Sequence, residues 1–301
     1  MKLINPSVEL IQQQSGLIGM YKHIERCART CYKTEDTITD NSYEKLCDKL
    51  MKAGHLAMFE HGTIYLYYKE CCYSNEDIAF MNKYKSNPYS KVISLGCDDT
   101  RYPDGTFHDI MGGPATGDCE YVITTNLRVI IENHWEDDLQ YICEPTEFHE
   151  RRITLKFTSD IQFYKDLTRH REESYAIEST RWCNYMAKKF GMSISFFHPQ
   201  WLKEEDREEF ENDCKTVENL YFKWKDKGWT TEQAAYFLIQ GTAATVIVTG
   251  FVSSWRHIFD LRLNGTTGKP HETMLQLMNM AKEELVKNNL WNLIYPKNER
   301  N

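Results

Sequence analysis

"RRITLKFTSD" (residues 151–160) is rich in β-branched and aromatic residues and reads as a strand. It runs into "DIQFYKDLTRHREESYAIESTRWCNYMAKKF" (160–190), where Ile161, Phe163, Tyr164 and Leu167 precede a dense charged run. That passage reads as largely helical and stops at Gly191, and "SISFFHP" (193–199) follows as a short strand. Upstream, "EYVITTNLRVIIEN" (120–133) and "TIYLYYKECC" (63–72) give further strand signals. Before them, residues 18–33 space Ile18, Tyr21, Ile24, Cys27 and Cys31 as a helix does. Asp40-Asn41-Ser42 offers caps for a helix over 42–53 that ends at Gly54. A helix start near 76 leads into 84–118, where Pro88, Pro103 and Pro114 predict a loop-rich, lid-like excursion. The last hundred residues read as helices: 204–228, 230–240 with a capping box at its start, 253–263 and 271–291. No repeat or low-complexity linker divides the chain. The pattern favours one α/β domain of α+β character over 1–301, with 84–118 inserted.

Composition narrows the function classes. The chain has 301 residues, 41% of them hydrophobic, enough for a sizeable core. No apolar run nears the ~18 residues of a membrane span, and "MKLINPSVEL" lacks the pattern of a secretory signal, so a cytoplasmic protein without membrane contact is expected. Net charge is -8, whereas a general nucleic-acid binder carries a basic excess, so no nucleic acid is expected as partner. The ten cysteines form no C-x-x-C pair, and His55 and His61 lie at a spacing that suits no zinc pattern, so no metal is expected. The cysteines read as reduced, mostly buried thiols.

An anion must then be held by a local cluster, and "RHREESYAIESTRW" (169–182) is the densest candidate. A guanidinium is a rigid fork of donors matched to phosphate and to paired carbonyls. Arg169 and Arg171 flank His170, Ser174 and Ser179 add small donors, and Arg181 adds a third cation. Glu172, Glu173 and Glu178 can equally neutralise these arginines in a solvated ion-pair face. Composition alone leaves both readings open.

The order of residues adds a resemblance. Arg169-His170-Arg171, seven residues, then Ser179 resembles the signature of the ThyX-type flavin-dependent thymidylate synthases. "GHLAMFEHGTIYL" (54–66), "TGFVSSWRHIFDLRL" (249–263) and "KPHETM" (269–274) resemble other passages of that family, in the same order. The resemblance spans most of the chain outside 84–118. It implies a ThyX-type fold with a central, mostly antiparallel sheet flanked by helices. It implies reductive methylation of dUMP, or a related pyrimidine nucleotide, to dTMP. Methylenetetrahydrofolate would be the carbon donor, FAD the bound cofactor and NADPH the reductant, in a homotetramer. Carried over by position, His55, Arg169, His170, Arg171 and His257 would serve the flavin. Asp166, Arg169, Glu178, Ser179, Thr180, Arg181 and Arg262 would line the nucleotide site. Arg262 would act catalytically, stabilising negative charge that develops on the uracil ring. Ser179, with no paired base, reads as a hydrogen-bond donor and not a nucleophile.

The match has departures. Ala235 stands where the family places a phosphate-binding arginine, Ile239 replaces a proline, Ile177 replaces a polar residue, and Ala57 stands where a hydroxyl residue is common. Loss of one charge-assisted phosphate bond costs ~1.5–3 kcal/mol. A homologue that binds flavin and a pyrimidine nucleotide with weakened or altered catalysis is therefore the alternative reading.

Overall fold

The computed structural model describes residues 1–71, 75–95 and 118–296. In chain order the elements are β1 (Lys2–Ile4), β2 (Ser7–Leu10), α1 (Gly16–Thr30), α2 (Ser42–Lys52), β3 (Thr63–Cys71), α3 (Asn75–Lys85), β4 (Lys91–Leu95) and β5 (Asp118–Asn126). Then come α4 (Leu127–Asn133), β6 (Arg152–Asp160), α5 (Ile161–Leu167), β7 (Ser174–Ile177), β8 (Ser195–Phe197), α6 (Arg207–Asp226) and α7 (Thr231–Ala234). β9 (Ala243–Phe251), α8 (Val252–Arg262), α9 (Glu272–Lys287) and α10 (Trp291–Ile294) complete the chain. Contacts divide it into two compact units: residues 1–12, 21–61 and 152–301 form the first, and 13–20 with 62–151 the second. No helix among the described residues is long and apolar enough to cross a membrane.

The first unit is built on a four-stranded sheet in the order β2-β6-β9-β7, antiparallel throughout. In a strand successive side chains face opposite sides. Ile153, Leu155 and Phe157 of β6, with Val246 and Val248 of β9, therefore share one face. That face packs on Trp255, Ile258 and Phe259 of α8 and on Met274, Leu277, Met278 and Ala281 of α9. Ile247 and Ala176 point the other way, toward Ile11 and Cys27 of α1. Trp255 is fully buried and donates its indole N–H to the Ile153 carbonyl at 3.0 Å, so its one polar atom is satisfied. The expected antiparallel sheet flanked by helices is thus present. A parallel pair, β1 with β8, lies in the same unit.

The second unit holds an antiparallel sheet in the order β3-β5-β4. Tyr68 stacks on Phe80 at 4.1 Å between centroids. Lys83 pairs with Asp138 at 2.5 Å and lies over the Phe80, Tyr84 and Trp135 rings.

Several expectations need correction. The strand expected over 120–133 stops at Asn126, whose side chain accepts from the Val129 N–H and starts α4. The run 160–190 is α-helical only over Ile161–Leu167, with a single 3-10 turn at Lys188–Phe190, because Ser174–Ile177 pairs with β9 as β7. The last hundred residues are not all helix: "AATVIVTGF" is β9, the strand between β6 and β7. The capping box of 230–240 is real, Thr230 with Gln233, but the α-helix it opens lasts one turn. Within 84–118, residues 91–95 form β4 against β5, and 96–117 lie outside the described residues.

Candidate functional site

Six of the singled-out residues gather where the loop after α5 meets α8. Arg262 is the last residue of α8. Its Nε–H donates to His170 Nε2 at 3.0 Å, and its Nη2 donates to the Asp166 carbonyl at 3.4 Å. His170 is 8% exposed and accepts at Nε2, so a neutral ring carries its proton on Nδ1. Burial, then the Arg262 charge, then His257 lower its pKa to about 4. The His170 and His257 rings meet edge-on at 5.9 Å, and His257 is exposed. The Tyr175 hydroxyl lies between the Leu167 and His170 carbonyls, at 2.9 and 3.0 Å, and ties the loop back to β7. Arg169 and Arg171 stay outside. Arg169 is 71% exposed and meets the Asp166 carboxylate at 3.2 Å, while Arg171 makes no ion pair among the described residues.

The remaining nucleotide-site candidates lie at the far end of β7. Glu178 is 2% exposed. Its Oε1 takes Lys33 Nζ at 2.8 Å and the Tyr185 hydroxyl at 3.2 Å, and its Oε2 takes the Thr245 N–H at 3.2 Å. This carboxylate pins its own segment to β9 and α1's end. Ser179 donates its backbone N–H to the Cys31 carbonyl at 2.9 Å, and Thr180 is half-buried. Arg181 forms an exposed two-point pair with Glu232, at 2.8 and 3.4 Å. The residues of β7 span ~13 Å, so the two groups of candidates are separated along the chain by that strand.

His55 belongs to neither group. It is exposed and lines a pocket of ≈ 180 Å³ with Arg29, Tyr32, Thr34, Leu50 and Ala57. His61 is a core histidine. Its Nδ1 meets Thr249 Oγ1 at 2.8 Å, Thr249 meets Thr154 at 2.8 Å, and Thr154 meets His23 Nε2 at 3.2 Å. Burial is the main cause that lowers both His61 and His23 to about 3, so each is neutral at neutral pH. Sequence reasoning passed over this buried row, since threonines inside strands look ordinary. It also passed over Glu173, which it counted only as a counter-charge. Glu173 is 7% exposed, and burial pushes its carboxyl up to about 7.

The family model of the thymidylate synthase complementing protein, Thy1, matches residues 127–286, which include every member of the Arg262–His170 cluster. Two crystal structures of a UMP/dUMP methylase, PolB from Streptomyces cacaoi, are also similar. The one bound with 5-Br dUMP is 14% identical, covers 98% of this chain and 95% of its own, and has a TM-score of 0.42. The one bound with 5-Br UMP is 14% identical, covers 98% and 94%, and has a TM-score of 0.43. No curated protein matches the chain.

Proposed function

Since the chain belongs to the thymidylate synthase complementing protein family, we propose that it methylates dUMP to dTMP, using methylenetetrahydrofolate, NADPH and bound FAD. The observation that carries this reading is the Arg262 fork, held by neutral His170 and the Asp166 carbonyl beside two exposed guanidinium groups. Its other N–H groups have no partner among the described residues and are free for a pyrimidine carbonyl. A fixed cation there stabilises negative charge spreading over the uracil ring and its oxygens, which strengthens C5 as a nucleophile.

The donor set also suits a flavin dinucleotide. Exposed Arg169 and Arg171 match pyrophosphate oxygens, and the edge-on His170 and His257 rings offer flat surfaces beside them. Bound FAD would supply the hydride that converts the transferred methylene to methyl, with NADPH restoring its reduced form. His55, with its apolar neighbours, would lie against the flavin or folate ring. Glu178, Ser179, Thr180 and Arg181 would border the nucleotide, and for Arg181 the phosphate would have to displace Glu232. A homotetramer of single-domain chains in the cytoplasm completes the proposal.

The test is a spectrum and a turnover assay. Purified protein should show flavin absorbance and form dTMP only when both methylenetetrahydrofolate and NADPH are present. Protein that stays colourless after FAD is added would sink the cofactor assignment. A second reading is a homologue that binds without turnover. It is favoured by two observations: Glu178 is engaged internally, and Ala235 offers no cation. Tight dUMP binding without dTMP formation would select it.

A further inference from the structure

We propose that Glu173 is the positioning residue that seats the Arg169–Arg171 loop on the start of α8, in a slot that Gly250 keeps open. Glu173 is the last residue before β7, and its side chain turns inward and not toward the neighbouring arginines. A methyl group built on Gly250 would overlap Glu173 Oε2, so the carboxyl fills the space that any other residue at 250 would occupy. That oxygen is buried and has no hydrogen-bond partner among the described residues. Ser254, in the first turn of α8, lies beside the carboxyl and favours its charged form. Glu172 is held at φ +70°, a left-handed conformation that costs a non-glycine residue energy and needs an anchor. The loop is thus fixed at two buried points, His170 against Arg262 and Glu173 against Gly250, while Arg169 and Arg171 project outward. Which ligand the arginines take rests on the function proposed above. The seat is a property of the chain alone.

The seat also prefers one protonation state. The charged and titratable groups facing the carboxyl are Arg152 from β6, Tyr175 from β7 and Glu172 from its own loop; Ser254 of α8 adds a neutral donor, and β9 offers only Gly250. Burial outweighs the help of Ser254 and Arg152 and raises the carboxyl from its ordinary 4.5 to about 7. A raised carboxyl favours the seated loop fully below the ordinary value. The preference falls as pH rises from there toward about 7, and it is flat above. Presentation of the two guanidinium groups is therefore coupled to pH near neutrality.

Limited trypsin digestion of the full chain, with no nucleotide or flavin present, tests the seat. Cuts after Arg169 and Arg171 are counted by mass spectrometry for the natural chain and for Glu173→Gln. Taking the ratio of the two at each pH cancels the protease's own pH dependence. The ratio should rise about tenfold between about pH 6 and about pH 8, because the carboxylate alone unseats the loop. A ratio that stays constant overturns the proposal, as does the absence of cuts at these arginines at every pH. Gly250→Ala should cut fast at all pH values. If it folds and cuts at the natural rate, the slot has no such role; if it fails to fold, the Glu173→Gln ratio decides. A failed seat leaves the methylation reading standing, and a failed methylation assay leaves the seat standing.

Discussion

Arg262 reaches its position through a neutral histidine, and this makes its contribution separable from flavin binding. A protonated His170 could not accept from Arg262, and burial, with the Arg262 charge beside it, keeps the ring unprotonated. Arg262→Ala removes the fixed cation and one anchor of the loop, while Glu173 at Gly250 and the Tyr175 hydroxyl still hold the segment that carries Arg169 and Arg171. Turnover should fall by roughly 10²–10³-fold, with bound flavin largely retained. Arg262→Lys should not restore it, because a point charge cannot hold His170 and a pyrimidine at once. The measurement is kcat beside flavin absorbance. Loss of flavin with normal turnover by the remaining holoenzyme would contradict the role. At this scale the motif was legible where contact was local: Arg169, His170 and Arg171 are adjacent in sequence. The bond from His170 to Arg262 spans 92 residues and follows only from the fold. The inward turn of Glu178 toward Lys33, Tyr185 and Thr245 was not legible either, because a glutamate in a charged run carries no sign of its burial.

Among the elements, β9 organises the first unit and was the hardest to read. It is buried on both faces, with Val246 and Val248 toward α8 and α9 and Ile247 toward α1, so its sequence lacks the polar alternation of a half-exposed strand. β3 and β6 were legible because their β-branched and aromatic content is dense and bounded by turns. The stretch 160–190 misled because seven helical residues precede a charged run that has the composition of a helix but forms a turn, and the uncharged Ser174–Ile177 after it pairs as a strand. β9 also carries Thr249, which links His61 to Thr154 and through it to His23. Thr249→Val keeps the shape and removes the hydroxyl, leaving a buried ring nitrogen without its partner. Thermal unfolding should show a loss of ~1–3 kcal/mol. Thr249→Ser keeps the hydroxyl and should lose less. If serine costs as much as valine, the hydroxyl row is not what stabilises these strands.

For the molecule as a whole, burial predicts an acid boundary; His149, lowered by burial, adds to it and Asp160, raised by burial, opposes it, while four groups with larger shifts set the main slope. His23 and His61 are lowered to about 3 and His170 to about 4, all chiefly by burial, from an ordinary value of 6.5. Each stays neutral in the folded chain while its unfolded counterpart takes up a proton. Stability from these three is complete above about 6.5 and is lost as pH falls toward their folded values. Glu173 acts in the opposite sense, since its raised carboxyl binds a proton in the folded chain that the unfolded chain releases. Between about pH 6.5 and the ordinary carboxylate range, three protons taken up on unfolding are offset by one released. The net of about two corresponds to ~3 kcal/mol per pH unit. Urea unfolding followed at the amides of β6 and β9, repeated across this window, should give that slope with stability falling toward acid. Glu173→Gln removes the opposing proton and should steepen it to ~4 kcal/mol per pH unit. A flat profile would mean that the histidines are not buried as neutral rings. An unchanged slope in Glu173→Gln would mean that the carboxyl is already ionised in its slot.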